Sequence, residues 1–437
     1  MAGSAHRGRK PRPAPPTPGR TPVPIGGIWT GHDARATHSV NRAQKNSADA
    51  NDSYLGQTSV TILADKITEA TSWATNHRNS DALRAEMANH GCYIYGAGGY
   101  GRQVAAALRA RAIPLKGFVD TFVGGGKPVA DVPCWLPDEF PGADAAGSVL
   151  VIAVNNFKVP VAGIAEWARG KGFADIVYVP ELPDVLDPAL GQYWQSTRAL
   201  MEDSADAIAR FDALLGDAKS REILAALVRY RITGLPEDHP DVDRDHQYFP
   251  VDLPLSKDAI SVIDCGAFPG DMIEAVSAAG LTLNNWYAFE PDPANFVRLG
   301  QVAAAADLGS ASLFPCGVGD ATGMIRFQDG GADASRASAD ADHGVLVPIV
   351  RVEDVVQARL IDMVKLDIEG FEAQAIDGMV GLLDRHRPRV AVAVYHKPAD
   401  LWEIAFKLEG LYPGSRYAIR QHGHNGYDTV LYADLAA

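Results

Sequence analysis

Apolar positions change period along this 437-residue chain, and the changes divide it into segments. Up to about residue 55 there is almost no periodic apolar pattern, and Pro, Arg, Gly, Ser and Asn dominate. Such a segment cannot bury enough surface to offset its ordering entropy, so disorder is expected there. From Val60 to about Asn89 apolar residues recur at helical spacing. Short apolar runs follow at Gly91 to Tyr95, Leu115 to Asp120, Ser148 to Val154 and Ile176 to Val179, read as strands, with a helix from Arg102 to Ala112. Helical spacing returns between residues 190 and 233. Ile208, Phe211, Leu214 and Leu215 mark one helix, and Ile223, Leu224, Leu227 and Val228 a second.

The last third consists of apolar runs that end on polar residues. Val262-Ile-Asp264 leads into Cys-Gly-Ala-Phe-Pro-Gly270, and Trp286-Tyr-Ala-Phe ends on Glu290. A helix from about Asn295 precedes a third strand, Ala311 to Val318, and Met363 to Asp367 and Val390 to Tyr395 are the fourth and fifth. Near-continuous apolar runs suit parallel strands covered on both faces. Arg416 to Arg420 and Thr429 to Tyr432 flank Asn425-Gly426, a hairpin signal. The pattern predicts an α/β chain with two Rossmann-like, doubly wound domains joined by helices. The expected boundaries are a basic disordered tail over 1–55, a first domain over 56–185, a helical connector over 186–250 and a second domain over 251–437.

Chemistry enters through the polar ends of these strands. A glycine-containing turn after the first strand, with an acid about twenty residues on at the end of the second, is how an α/β sheet binds a nucleoside. The turn Asp264-x-Gly266-x-x-x-Gly270 lacks the G-x-G-x-x-G spacing of a pyrophosphate site, and Asp264 would repel a pyrophosphate but suit an amino-acid ammonium. S-adenosylmethionine has such a tail. Further on, Lys365-Leu-Asp367-Ile-Glu369-Gly370-Phe-Glu372 brings a carboxylate cluster to the end of a strand.

With Asp264-Cys-Gly-Ala-x-x-Gly270, Phe289-Glu290-Pro-Asp292-Pro, Tyr395-His396 and Asp428-Thr-Val-Leu-Tyr432, this element resembles the FkbM-type methyltransferases over roughly residues 245–437. Phe268 and Pro269 stand where that family often carries Asn and another residue. The resemblance implies a seven-stranded class I methyltransferase sheet closed by an antiparallel hairpin. It also implies S-adenosylmethionine as cofactor, held by Asp264, Gly266, Ala267, Gly270, Glu290 and Asp292, with Cys316, Gly317 and Val318 walling the adenine and Asp367 nearby. A sugar hydroxyl is a weak nucleophile and needs a base or a metal. His396 is the first candidate base, since its ordinary pKa suits proton transfer near neutrality, and Asp367 the second. Glu369 is either catalytic or a helix cap. A divalent ion on Asp367 and Glu369 is conceivable, but two carboxylates at i, i+2 do not define a site, and His343 and His422 add no ligand spacing. Lys365 is read as neutralising its acidic neighbours. Tyr230-Arg231 and Tyr248-Phe249-Pro250 match the approach to the family's catalytic domain and are expected near the substrate cleft.

The first domain carries a complete G-x-G-x-x-G, with Gly96, Gly98 and Gly101, and an acid at Asp120. Here the glycine turn resembles the small N-terminal domain of bacterial sugar acyltransferases of the PglD kind, which binds a nucleotide sugar, with Tyr100 in place of a His. A nucleotide-sugar module, an NAD site and an empty structural unit all remain open for it. The overall expectation is an S-adenosylmethionine-dependent O-methyltransferase (EC 2.1.1.-) acting on a sugar, glycan or secondary-metabolite hydroxyl. The alternative is a nucleotide-sugar-binding or regulatory protein whose methyltransferase fold is inactive.

Bulk properties narrow the setting. Net charge is -14, although the first 45 residues carry eight Lys or Arg against Asp33 alone, so the body is strongly acidic and a nucleic-acid partner is not expected. Cys92, Cys134, Cys265 and Cys316 lack C-x-x-C spacing and are expected as buried thiols in a reducing compartment. No apolar run reaches bilayer length and the start lacks a signal-peptide core, so a cytoplasmic protein without a membrane span is expected.

Overall fold

The structure is a computed structural model that describes residues 48–328, 336–338 and 345–436. Residues 1–47 of the expected tail, and His343, lie outside the described residues. The segment 48–55, also assigned to the tail, belongs to the helix Ala48–His77.

The first group of apolar runs forms a six-stranded sheet: β1 (Cys92–Tyr95), β2 (Leu115–Val119), β3 (Pro128–Val129), β4 (Val132–Trp135), β5 (Val149–Ile152) and β6 (Asp175–Val177), in the order β3-β4-β2-β1-β5-β6. All pairs except β3 with β4 are parallel.

The second group forms a seven-stranded sheet. Its first three strands are β7 (Ala259–Cys265), β8 (Thr282–Phe289) and β9 (Ser310–Phe314). The run Ala311 to Val318, expected as one strand, breaks after Phe314. Gly317–Val318 is a separate strand, β10, which leaves the sheet and pairs with β13 (Val345–Val350) beside β11 (Gly323–Gln328) and β12 (Arg336–Ser338) in a four-stranded sheet ordered β10-β13-β11-β12. The chain returns through β14 (Met363–Leu366), β15 (Arg389–Ala393), β16 (Arg416–Gln421) and β17 (Thr429–Asp434), giving the order β16-β17-β15-β14-β7-β8-β9. β17 is antiparallel to both of its neighbours, so β16 runs parallel to the other five. Every loop that follows a parallel strand therefore opens on one edge, the carboxyl edge where open α/β sheets bind ligands.

Period-2 alternation sends successive residues to opposite faces of this sheet. Ile263, Val364, Val390, Val392 and Ile419 join one apolar cluster, while Val262, Met363, Ala391, Ala418 and Val430 join the other. The first cluster also holds Leu63, Ile67, Ala70 and Ala74 of the helix Ala48–His77, which the sequence places with the first domain. Its apolar stripe packs instead against the second sheet and the helices Ala205–Leu214 and Ala218–Thr233. The chain from Asp52 to Ala437 is a single compact unit holding both large sheets. All four cysteines are buried free thiols. Among the described residues no helix is long and apolar enough to cross a membrane.

Candidate functional site at the carboxyl edge

At the end of β7 the chain turns through Gly266, with φ 77° and no room for a side chain: a Cβ there would lie 1.9 Å from the Asp367 carbonyl oxygen. The turn closes at Gly270, the residue before the helix Asp271–Ala278. At the end of β8, Glu290 Oε2 accepts the Phe268 N–H at 2.9 Å and Oε1 accepts the Asp292 N–H at 2.8 Å. Burial pushes the Glu290 carboxyl above its ordinary value, and the two backbone donors resist the shift. Asp292 accepts the Asn295 N–H at 2.8 Å and so caps the helix Pro293–Ala305. Ala267, Cys316 and Val318 are buried and Gly317 half-buried beside this corner.

Asp264, expected at a ligand's ammonium, is only 1% exposed. It stands opposite Lys365 in the β7/β14 register, on the apolar face that also holds Trp286. Lys365 Nζ lies 3.1 Å from Asp264 Oδ1 and also donates to the Gly266 carbonyl, while Trp286 Nε1 donates to Oδ2 at 3.2 Å. Asp264 thus fixes the glycine turn through Lys365. Burial alone would lower the lysine's pKa, but Asp264 and Asp367 raise it, so the ammonium stays charged.

The loops after β14 and β15 bring together a second group. Asp367 Oδ2 accepts from the Tyr248 hydroxyl at 2.8 Å, and the Tyr395 hydroxyl lies 3.4 Å from Oδ1. His396 Nδ1 is 2.8 Å from Glu372 Oε1, and its Nε2 is 3.4 Å from Asp367 Oδ1 and 3.9 Å from Glu369 Oε2. Burial would push this imidazole down, but Glu372 first, then Glu369 and Asp367, drive it up to about 10. His396, expected as the general base, is thus enclosed by three carboxylates that favour its charged form. The helix after β14 starts at Glu372, and Glu372, not Glu369, accepts the Ile368 and Gly370 N–H groups, at 2.9 and 3.3 Å. Glu369 sits before it in a left-handed conformation with φ 59°. Among the described residues no group of three or more His, Cys, Asp or Glu is arranged to hold a metal ion.

Sequence reasoning left three contributors unassigned. Glu372, quoted only as part of a motif, holds His396. Asp428 stands at the end of the hairpin turn, half-buried. Tyr193 comes from the connector, which has no signal beyond helical spacing. Its ring packs against Tyr427 at 5.3 Å, His396 at 6.1 Å and Tyr395 at 6.3 Å between centroids. Tyr248, expected near the cleft, reaches it through Asp367. Tyr230 and Arg231 pack beneath it around Trp194.

The first sheet repeats the corner in miniature. Asp120 Oδ2 accepts the Ala97 N–H at 2.8 Å, as Glu290 accepts that of Phe268. Gly101 serves packing, since a Cβ would meet the Gly96 carbonyl oxygen at 1.9 Å, whereas nothing lies within 4 Å of one built on Gly98. Tyr100 donates to the Leu190 carbonyl at 3.0 Å and so binds the connector.

Two mostly parallel sheets, one with a carboxylate fixed against a glycine turn and an acidic carboxyl edge, define the class. Residues 264–422 match the model of the methyltransferase FkbM domain. The fold is similar to the crystal structure of methyltransferase FkbM from Methylobacillus flagellatus KT, with a TM-score of 0.68 at 20% identity, over 86% of this chain and 100% of that one. The likeness in fold thus extends well beyond the matched domain. No curated protein matches the chain.

Proposed function

We propose that the protein is an S-adenosylmethionine-dependent O-methyltransferase whose acceptor is a hydroxyl of a sugar or glycan. The observation that carries this reading is Glu290, a carboxylate fixed against the glycine turn inside the span that matches a methyltransferase domain. The residues fit the cofactor. Each Glu290 oxygen accepts one backbone N–H and keeps lone pairs for ribose hydroxyls. Gly266, Ala267 and Gly270 form a turn without bulk, Cys316, Gly317 and Val318 offer a wall for adenine, and the Asp367 edge suits a cation. When bound, the cofactor supplies a methyl group on a cationic sulfur. The chain's part is to align the acceptor oxygen with that methyl and to provide an edge matched to the change in charge. Tyr193, half-buried and packed on the buried rings of Tyr395 and Tyr427, offers flat apolar surface near Asp367. That pairing suits a sugar ring, whose C–H face is apolar and whose rim is hydroxylated.

Calorimetry with S-adenosylmethionine tests the reading. Hydrogen bonds to a charged group contribute about 1.5 to 3 kcal/mol each, so Glu290→Ala should weaken binding by roughly tenfold or more. Equal affinity in variant and parent would remove Glu290 from the site.

A further inference from the structure

His396 is buried among Glu372, Glu369 and Asp367, which leaves the acceptor hydroxyl to a base that reaches the cleft. Asp428 occupies the position for one. It lies at the end of the turn between β16 and β17, on the edge shared with the ends of β14 and β15. It is partly exposed, unlike His396 and Glu372, which are buried. The Tyr395 hydroxyl, on the same edge, lies 3.4 Å from Asp367 Oδ1. Backbone strain gathers here too. Of the ten non-glycine described residues with positive φ, six border this edge: Tyr193, Tyr248, Phe268, Glu369, Asn425 and Asp428, the last with φ 53°. Such conformations cost on the order of 1–3 kcal/mol each and persist where the surroundings over-determine them, commonly at active sites.

We propose that Asp428 is the general base of the methyl transfer, taking the proton of the acceptor hydroxyl, while His396 and Tyr395 hold the neighbouring carboxylates in place. The inference rests on the methyltransferase reading above. As the acceptor oxygen's lone pair forms the new O–C bond, the S–C bond breaks and its electron pair leaves with sulfur, which becomes a neutral thioether. The acceptor's proton passes to the Asp428 carboxylate and from there to water. Burial raises the Asp428 carboxyl to about 7, with Asp367 adding to the rise and His396, the Tyr395 hydroxyl and Arg244 opposing it. Near neutrality both the base and its conjugate acid are then populated, as proton transfer requires.

The test uses the full chain with methyl-labelled S-adenosylmethionine and a panel of methyl glycosides, counting label in the glycoside across pH. Asp428→Asn should keep cofactor affinity within about twofold and lose about 100-fold or more of kcat. The acid limb of the parent's pH profile, centred near 7, should vanish in that variant, and Asp428→Glu should recover part of the loss. Transfer by Asp428→Asn within about threefold of the parent, or an acid limb that survives in it, overturns the proposal. A parent that binds cofactor but labels no glycoside would count against the sugar acceptor and not against Asp428. In that event carbodiimide coupling at neutral pH, mapped by mass spectrometry, decides. Asp428 should couple, and an uncoupled Asp428 refutes its access to substrate.

Discussion

An imidazole enclosed by Glu372, Glu369 and Asp367 behaves as part of the scaffold, and the enclosure makes its charge a stability term. The folded pKa of His396, about 10, lies above the ordinary 6.5, so its stabilisation is complete below about pH 6.5 and is lost as pH rises through about 10. His396→Gln keeps a donor but not the charge. Its melting temperature should fall furthest below the parent's near pH 6, and the gap should narrow towards pH 10. A gap that stays constant over that range would mean that the ring is neutral in the fold. This residue also marks a limit of reading sequence. Tyr395-His396 at a strand end is visible as a reactive pair, but the ring's proton depends on Glu372, twenty-four residues earlier, which only the turn after β14 brings to 2.8 Å.

At the scale of elements, strands β1, β2, β5, β7, β8, β14 and β15 were legible because buried parallel strands must be nearly all apolar. The acids at their ends were legible for the same reason. The split after Phe314 was not, since Cys316, Gly317 and Val318 look like more strand until β13 claims them. The hairpin was half legible. Asn425-Gly426 does form a turn with φ of 58° and 76°, closed by Tyr427 N–H to the His424 carbonyl at 3.2 Å, but its tip is not free. Asn425 donates to the Asn156 and Val159 carbonyls at 2.7 and 2.8 Å, and Tyr427 donates to Asn155 at 2.8 Å, all in the loop after β5. Gly426 lies under Trp194, 2.5 Å from where a Cβ would sit. Gly426→Ala should therefore displace the hairpin that carries Asp428 and lower kcat more than cofactor affinity, since Glu290 is on another loop. Stopped-time methylation assays beside calorimetry would measure the split, and equal losses in both would show that the tip does not position the edge.

At the scale of the whole chain, these contacts join the carboxyl edges of the two large sheets, and buried ions add further links. Glu181, fully buried beside β6, accepts from Arg78 at 2.9 Å and from Arg198 at 3.4 Å. Arg78 lies just past the helix whose apolar stripe packs on the second sheet, and Arg198 begins the connector's helix Arg198–Asp203 and also donates to the Ile232 and Arg78 carbonyls. A charge removed from such a pair leaves its partners uncompensated, at a cost of about 3–5 kcal/mol. Glu181→Gln changes one atom near the first sheet, yet the fold's connectivity carries the loss into the second. Hydrogen exchange followed by mass spectrometry should show peptides over β1 and β2 and peptides over β7 and β8 losing protection together, as one cooperative unit. Independent folding of the two sheets would instead confine the loss to residues 92–119, leave 259–289 protected, and make the first sheet a separable module.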